Sequence, residues 1–224
     1  ELQKNDMFTE VVVAGPGFIN VRLTDSAVMQ LIRAEPACAR QSKVVVIETN
    51  NPNPFKAMHI GHAYNAILAD TMANLYALSG ATVKRVSYHG DVGLHVGKAM
   101  WAVLRDTGGD VAKLNAIHPD ERNKYMSTMY AAGSRAYDES DEAKREIDEL
   151  ARQSFLLDDT AYKTIYELCK AWSFEDIDKL VARLGNVPII RRYVESETEE
   201  KGKKVIVDHT PDVFTLSNGA YIFE

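Results

Sequence analysis

Residues 43–90 read KVVVIETNNPNPFKAMHIGHAYNAILADTMANLYALSGATVKRVSYHG, and their periodicity decides the fold. The opening KVVVIET, 43–49, is a near-continuous β-branched run, the pattern of a parallel strand buried on both faces. A loop with Pro52 and Pro54 follows over 50–58. Ile67, Leu68, Met72, Leu75 and Tyr76 then recur at three- and four-residue spacing, which predicts a helix from about His59 to Ser79. Gly80 stops that helix, as glycines do at helix ends. TVKRVSYHG, 82–90, predicts a second strand. Strand, helix and strand make one βαβ unit, whose crossover should be right-handed.

In a parallel sheet, ligands bind outside the carboxyl ends of the strands. The first strand here ends in a loop that becomes a helix at His59, Gly61 and His62. A helix start offers unpaired N–H groups and a positive dipole end, which together favour phosphate. Imidazoles placed there become donors aimed at phosphate oxygens, and a glycine between them lets a flat purine lie on bare backbone. Such a pair can stabilise charge building on an α-phosphate during in-line displacement. The arrangement points to nucleotide binding.

Working outward, residues 11–13 and 18–23 read as strands around a tight turn at Pro16-Gly17. A helix begins at Asp25, capped by Thr24 or Asp25, with Val28, Leu31 and Ile32 on one face, and Pro36 ends it. After Asp91-Val92-Gly93 another helix carries Val96, Met100, Val103 and Leu104, and DTGGD, 106–110, breaks it. Asp91, between two glycines, reads as a turn-former or helix cap. From about 120 to 185 the pattern is helical almost throughout, in four stretches that end in DDTAYKTIYELCKAW and FEDIDKLVARLG. That is a helical insertion rather than further alternation of strand and helix. PIIRRYV, 188–194, suggests a strand, residues 197–208 a helix, and VFTLSNGAYIFE a hairpin turning at Asn218-Gly219.

Composition sets the outer bounds. The 224 residues suffice for one large domain or two small ones, and 46% hydrophobic with 26% charged residues is ordinary for a globular chain. No apolar run reaches the ~20 residues of a membrane span. ELQKNDMFTE, at the start, is polar and no signal peptide, and the missing Met fits a trimmed start. A net charge of −6 argues against a protein that lives on nucleic-acid backbone contacts. Cys38 and Cys169 lie far apart without metal-ligand spacing, read as buried or half-buried thiols, and suit a reducing cytosol.

Taken together, ETNNPNPFKAMHIGH, SYHGDVG at 87–93, VAGPGFINVRL, VESETEEKGKKVI and LSNGAYIF resemble segments of arginyl-tRNA synthetases, a class I aminoacyl-tRNA synthetase family. The resemblance is patchy over 111–185 but touches both ends. It implies an α/β fold: a Rossmann-like parallel-sheet nucleotide-binding half with a largely helical insertion, preceded by the end of a small α+β appended domain. The implied divisions are 1–40 for the appended domain, 41–110 for the first nucleotide-binding half, and 111–224 for the insertion and the start of the return to the sheet. It implies a cytoplasmic, monomeric enzyme without membrane attachment that uses arginine, ATP with Mg²⁺, and tRNA, with no tightly bound cofactor.

The same resemblance implies roles residue by residue. His59, Gly61 and His62 would hold ATP, and Lys56 would neutralise phosphate. Glu48 and Asn53 would line the arginine pocket with His59, around the α-amino group. Asn50 and Asn51 stand where the family often has two serines, and Asn51 would also reach the amino acid. Val92 replaces a usual tryptophan at a packing position. The second nucleotide-binding half, the guanidinium-recognising residues and the anticodon-binding domain are expected beyond Glu224. Two rivals stay open: another H-x-G-H nucleotidyltransferase, and a non-catalytic relative that binds a nucleotide or partner.

Overall fold

Strand β1 (Phe8–Ala14) pairs antiparallel with β2 (Phe18–Leu23), and the turn between them uses Gly15 and Gly17 at positive φ. The computed structural model describes residues 2–34 and 38–223, so Pro36, the expected stop of the first helix, lies outside the described residues. Helix α1 (Asp25–Arg33) begins where Thr24 Oγ1 accepts the Ala27 N–H at 3.1 Å, which assigns the cap to Thr24 rather than Asp25. Val28, Leu31 and Ile32 are all exposed, and Ala27 supplies the buried side of this helix.

Strand β3 (Val44–Glu48), helix α2 (Ile60–Leu78) and strand β4 (Thr82–His89) form the expected βαβ unit, with Val44 opposite Thr82 and Glu48 opposite Val86 in parallel register. Gly80, at φ +94°, follows the helix end, a conformation that costs a glycine little. One expectation fails. The β-branched run is not buried on both faces: Val44 and Val46 are each 62% exposed. The sheet order is β3-β4-β5, so β3 is an edge strand, and its outward face has no cover among the described residues. The central place belongs to β4, where Arg85, Val86, Ser87 and His89 are buried.

Five α-helices lie between β4 and the third strand of the sheet, with a 3₁₀ turn at Pro119–Glu121: α3 (Leu94–Thr107), α4 (Val111–Asn115), α5 (Arg122–Glu139), α6 (Asp141–Leu156) and α7 (Thr160–Arg183). The last two stretches of the sequence reading are one continuous helix of 24 residues. Side-chain caps mark the breaks: Asp110 accepts the Ala112 N–H, Ser140 that of Ala143, and Asp159 that of Tyr162. Gly108, in the left-handed region, closes α3. Strand β5 (Arg191–Val194) then returns parallel to β4, Val86 facing Arg191. The helical stretch is therefore the crossover between two neighbouring parallel strands.

The main core joins this crossover to the loop after β3. Phe55, from that loop, is fully buried with Val96, Met100, Val103, Leu114, Ile165 and Tyr166. A buried ion pair fastens α2 to the sheet, with Arg85 Nε 2.7 Å from Asp70 Oδ1, while Arg85 Nη2 donates to Asn74 Oδ1. Helix α8 (Glu195–Asp208) leaves directly from β5, two residues earlier than its charge pattern suggests. The chain continues through the hairpin of β6 (Thr215–Ser217) and β7 (Ala220–Ile222), whose turn residues Asn218 and Gly219 both have positive φ, as a two-residue type I′ turn requires. Among the described residues no helix is long and apolar enough to cross a membrane.

Candidate functional site

His59 is the N-cap of α2, and it builds the site with His62 in a reciprocal cap. The Gly61 N–H donates to His59 Nδ1 at 3.1 Å, and the His59 N–H donates to His62 Nδ1 at 3.2 Å. The two rings stack with centroids 3.8 Å apart. Because each Nδ1 accepts, each neutral ring carries its proton on Nε2. Burial, then His59, then Lys56 lower the pKa of His62, so this ring holds its neutral form to lower pH. The sequence suggested free backbone N–H groups at this helix start. Those of His59 and Gly61 are instead taken by the imidazoles, which leaves the Nε2–H groups as the donors of the pair. Gly61 has its own steric reason: a Cβ there would lie 3.0 Å from His59 Cε1 and 3.1 Å from its Nδ1.

The loop between β3 and α2 is fastened to the end of β4 by its asparagines. Asn51 Nδ2 donates to Glu48 Oε2 at 2.6 Å, and Asn51 Oδ1 accepts the Tyr88 N–H at 2.9 Å. Asn53 Oδ1 accepts the Gly90 N–H at 3.1 Å. Buried His89 holds the Pro52 carbonyl through Nδ1 at 2.6 Å, while its Nε2 lies 2.9 Å from Ser87 Oγ. Burial is the main cause lowering the pKa of His89, which fits a neutral ring donating from Nδ1. Thr49 and Asn50 are buried beside these residues, and Thr49 Oγ1 and Asn50 Oδ1 have no hydrogen-bond partner among the described residues.

A cleft of about 570 Å³ opens between β3 and α2, with Glu48, Asn51 and His62 on its wall. Lys56, His59 and Asn53 do not line it. Lys56 faces a smaller space with Arg122, Asn123, Trp172 and Asp176, though it stays close enough to His62 to depress that ring's pKa. Asn53 turns toward the end of β4. Of the seven residues expected at the site, three thus share the cleft and four surround it.

Asp91 does not cap α3, the helix that follows it; its carboxylate serves the first turn of α8 instead. Its buried carboxylate accepts the Ser196 N–H at 2.9 Å, the Ser196 hydroxyl at 2.7 Å and the Tyr166 hydroxyl at 3.1 Å, with Lys170 Nζ at 3.6 Å. The cap of α3 is Gly93, which makes no side-chain capping bond. Val92 is buried, so the position keeps its packing role with a smaller side chain. The bonds to Ser196 fix the neighbouring Glu195 beside Gly90 and Asn53. A Cβ on Gly90 would stand 3.1 Å from Glu195 Oε2 and 3.3 Å from both polar atoms of the Asn53 amide. Burial first, then Asp91 and Glu199, raise the pKa of Glu195. His95 Nε2 lies 2.9 Å from the Gly90 carbonyl. In the sequence, Glu195 is one of several acids in ESETEE, and nothing in their spacing says which one turns inward. Among the described residues no cluster of His, Cys, Asp and Glu could hold a metal ion, so no ligand set is assigned.

The comparisons with known proteins agree on one family. A family model described as "tRNA synthetases class I (R), catalytic domain" matches residues 25–218. The arginine–tRNA ligase of Methylobacterium sp. (strain 4-46) is 39% identical over 103 residues, 43% of this chain and 18% of the relative. The cytoplasmic arginine–tRNA ligase of Xenopus tropicalis is 29% identical over 147 residues, 63% of this chain and 21% of the relative. The solved arginyl-tRNA synthetase of Thermus thermophilus superposes with a TM-score of 0.62 at 24% identity, over 97% of this chain and 35% of that one, a likeness of fold. The chain spans 18–21% of the length of these curated relatives.

Proposed function

The chain belongs to the class I arginyl-tRNA synthetase catalytic-domain family, and we propose that it supplies the first nucleotide-binding half of an enzyme that joins arginine to ATP and passes the arginyl group to tRNA. The observation that carries this reading is the stacked His59–His62 pair at the start of α2, each ring engaged through Nδ1 and left with Nε2 for a ligand. In the first step an arginine carboxylate oxygen bonds to the α-phosphorus of ATP. The bond from that phosphorus to the bridging oxygen breaks, and pyrophosphate leaves with its Mg²⁺. Mg²⁺ enters as part of the substrate complex. In the second step a ribose hydroxyl of the tRNA terminus attacks the arginyl carbonyl carbon, and AMP leaves.

His59 and His62 donate Nε2–H groups to the α-phosphate oxygens, where negative charge grows in the transition state. Lys56 meets the phosphate charge as a flexible cation on the neighbouring loop. Glu48, Asn51 and Asn53, with His59, receive the α-amino end of arginine. Glu195, beside Asn53, adds a carboxylate to this α-amino end.

The proposed divisions remain 1–40 as the end of an appended domain, 41–110 as the first nucleotide-binding half, and 111–224 as the insertion and the return to the sheet. We place the whole enzyme in the cytoplasm as a monomer. Burial raises the thiol pKa of Cys169 to about 12, so this cysteine is a packing residue rather than a nucleophile. The test is pyrophosphate exchange by the full-length gene product with ATP, Mg²⁺ and tRNA. Exchange that depends on arginine supports the reading. Exchange driven by another amino acid, or by none, overturns it in favour of another H-x-G-H nucleotidyltransferase.

A further inference from the structure

The side of α7 that faces the site touches the loops after two strands of the sheet at once. Phe55 is fully buried, yet its backbone stands at φ +67°, a left-handed conformation that is costly for a bulky side chain. Two contacts hold it there. Its N–H donates to Ser173 Oγ at 3.0 Å, and its ring stacks on Tyr166 with centroids 5.2 Å apart. Ser173 is itself fixed by donating to the Cys169 carbonyl at 2.8 Å. Phe55 stands between Asn53 and Lys56, so its conformation decides where both of them point.

The other end of Tyr166 meets the loop after β4. Its hydroxyl lies 2.9 Å from the Asp91 carbonyl oxygen and 3.1 Å from Asp91 Oδ2. Burial first, and Asp91 second, push the phenol pKa up, so the oxygen keeps its proton and donates. Asp91 in turn grips Ser196 through N–H and hydroxyl, which sets the first turn of α8 and the neighbouring Glu195. Lys170, one turn along α7, stands 3.6 Å from the same carboxylate. The ring of one tyrosine therefore meets Phe55, and its hydroxyl meets the latch on α8.

We propose that Tyr166 is a positioning residue of the site, and that it holds the loop carrying Asn53 and Lys56 in register with the α8 terminus carrying Glu195. What the site binds rests on the function proposed above; the register does not. The helical crossover is then a gauge for the site as well as a connection between strands. A misplacement of this kind acts on the rate of the chemical step more than on ground-state binding, because near-attack geometry is lost while most contacts persist.

Two amide protons report the two ends directly, without any ligand: Phe55 N–H and Ser196 N–H. Hydrogen exchange is followed by NMR on the 224-residue chain. Tyr166→Phe removes the hydroxyl and keeps the ring. It should speed exchange at Ser196 about tenfold and leave Phe55 within about twofold of the parent. Tyr166→Leu removes both contacts and should speed both amides about tenfold, while Val12 in the β1–β2 ribbon stays unchanged. Parental rates at both amides in Tyr166→Leu, or a change at one alone, overturn the proposal. Should Tyr166→Leu fail to fold, parental exchange at Ser196 in Tyr166→Phe overturns it by itself. In the full-length gene product, Tyr166→Phe should lower kcat for pyrophosphate exchange about tenfold with the ATP KM within about twofold. An unchanged kcat also counts against the proposal. A parent protein with no arginine-dependent exchange would instead sink the functional reading, and the two amides would still decide the register.

Discussion

His62 Nδ1 accepts the His59 N–H, and His59 Nδ1 accepts the Gly61 N–H, so each histidine caps the helix with one nitrogen and leaves the other for a ligand. The two duties can be separated. His59→Ala or His62→Ala in the full-length gene product should lower pyrophosphate exchange roughly 10²–10³-fold, the usual cost of losing one oxyanion-type donor. Loss of the cap should cost about 1 kcal/mol of stability as well. His59→Asn can keep a cap without placing a donor where Nε2–H stands, so its melting temperature should stay near that of the parent while its rate falls. A folded alanine variant with an unchanged exchange rate would remove both residues from the mechanism.

The pH dependence of stability follows from three histidines. Burial is the leading cause lowering the pKa of His62, His89 and His95 below the model-peptide value of 6.5. Below that value the unfolded chain binds more protons than the folded one. Stability is therefore complete above about pH 6.5 and is lost as pH falls from there toward the folded pKa values. Glu195, with its raised pKa, works in the opposite sense, nearer the carboxylate range. The acids Glu146, Glu149 and Glu175, lowered mainly by hydrogen bonds from Arg105, Arg152 and Lys179, matter only below about pH 4.5. Scanning calorimetry should show the melting temperature falling between pH 7.5 and 5.5. A flat profile over that window contradicts the burial of these rings.

What the sequence reveals and what it hides divides along the range of the interactions. The helix over Ile60–Leu78 is legible because capping, apolar spacing and a terminal glycine are all local, and the boundaries fall within a residue of expectation. The hairpin at Asn218-Gly219 is legible for the same reason. The burial of β3 is misjudged because a β-branched run reports strand propensity, whereas burial depends on which strands and helices arrive later. The HIGH tetrapeptide is visible as a motif, but the exchange of Nδ1 acceptors that orients it is a matter of three-dimensional geometry. Asp91 and Ser196 are 105 residues apart, and Asp91 and Tyr166 are 75 apart. No periodicity carries such pairings, so the latch that sets Glu195 emerges only from the fold.

Two glycines in helices give opposite predictions for the same substitution. Gly133 in α5 packs against α3 so closely that a Cβ would lie 1.8 Å from the Lys98 carbonyl oxygen. Backbone on both sides leaves little room to yield, so Gly133→Ala should destabilise by about 1–3 kcal/mol or more despite the better helix propensity of alanine. Gly202 in α8 is exposed, and its Cβ would meet nothing within 4 Å. There Gly202→Ala should stabilise by about 0.5–1 kcal/mol. Chemical denaturation of both variants decides the matter. Equal shifts in the same direction would show that α3 and α5 do not cross at Gly133.

The 224-residue chain by itself should not activate arginine. In a doubly wound sheet the ligand sits at the switch point, where strands from two halves meet and lend their ends to one crevice. Here β3 is the strand whose end bears the site, and it has β4 on one side and no partner on the other among the described residues. Its cleft of about 570 Å³ is walled by β3, the loop that follows it and α2, and Ile67, Leu68, Met72 and Leu75 of α2 stay exposed. His59 and His62 can therefore touch a phosphate, but among the described residues no second wall closes on the adenosine from the far side. Holding reactants in near-attack geometry supplies ~7–11 kcal/mol in well-oriented systems, and half a crevice forfeits much of it. The net charge of −6 adds that this piece captures tRNA weakly. The assay is pyrophosphate exchange with arginine, ATP, Mg²⁺ and matching tRNA, on chain shown to be folded by its amide spectrum. Exchange should be absent, while a weak MgATP-dependent shift of the His59 and His62 ring signals persists. Turnover at ~1 s⁻¹ or faster, the range of ordinary enzymes, would mean that residues 1–224 already enclose both substrates and that the open edge of β3 is not the missing wall.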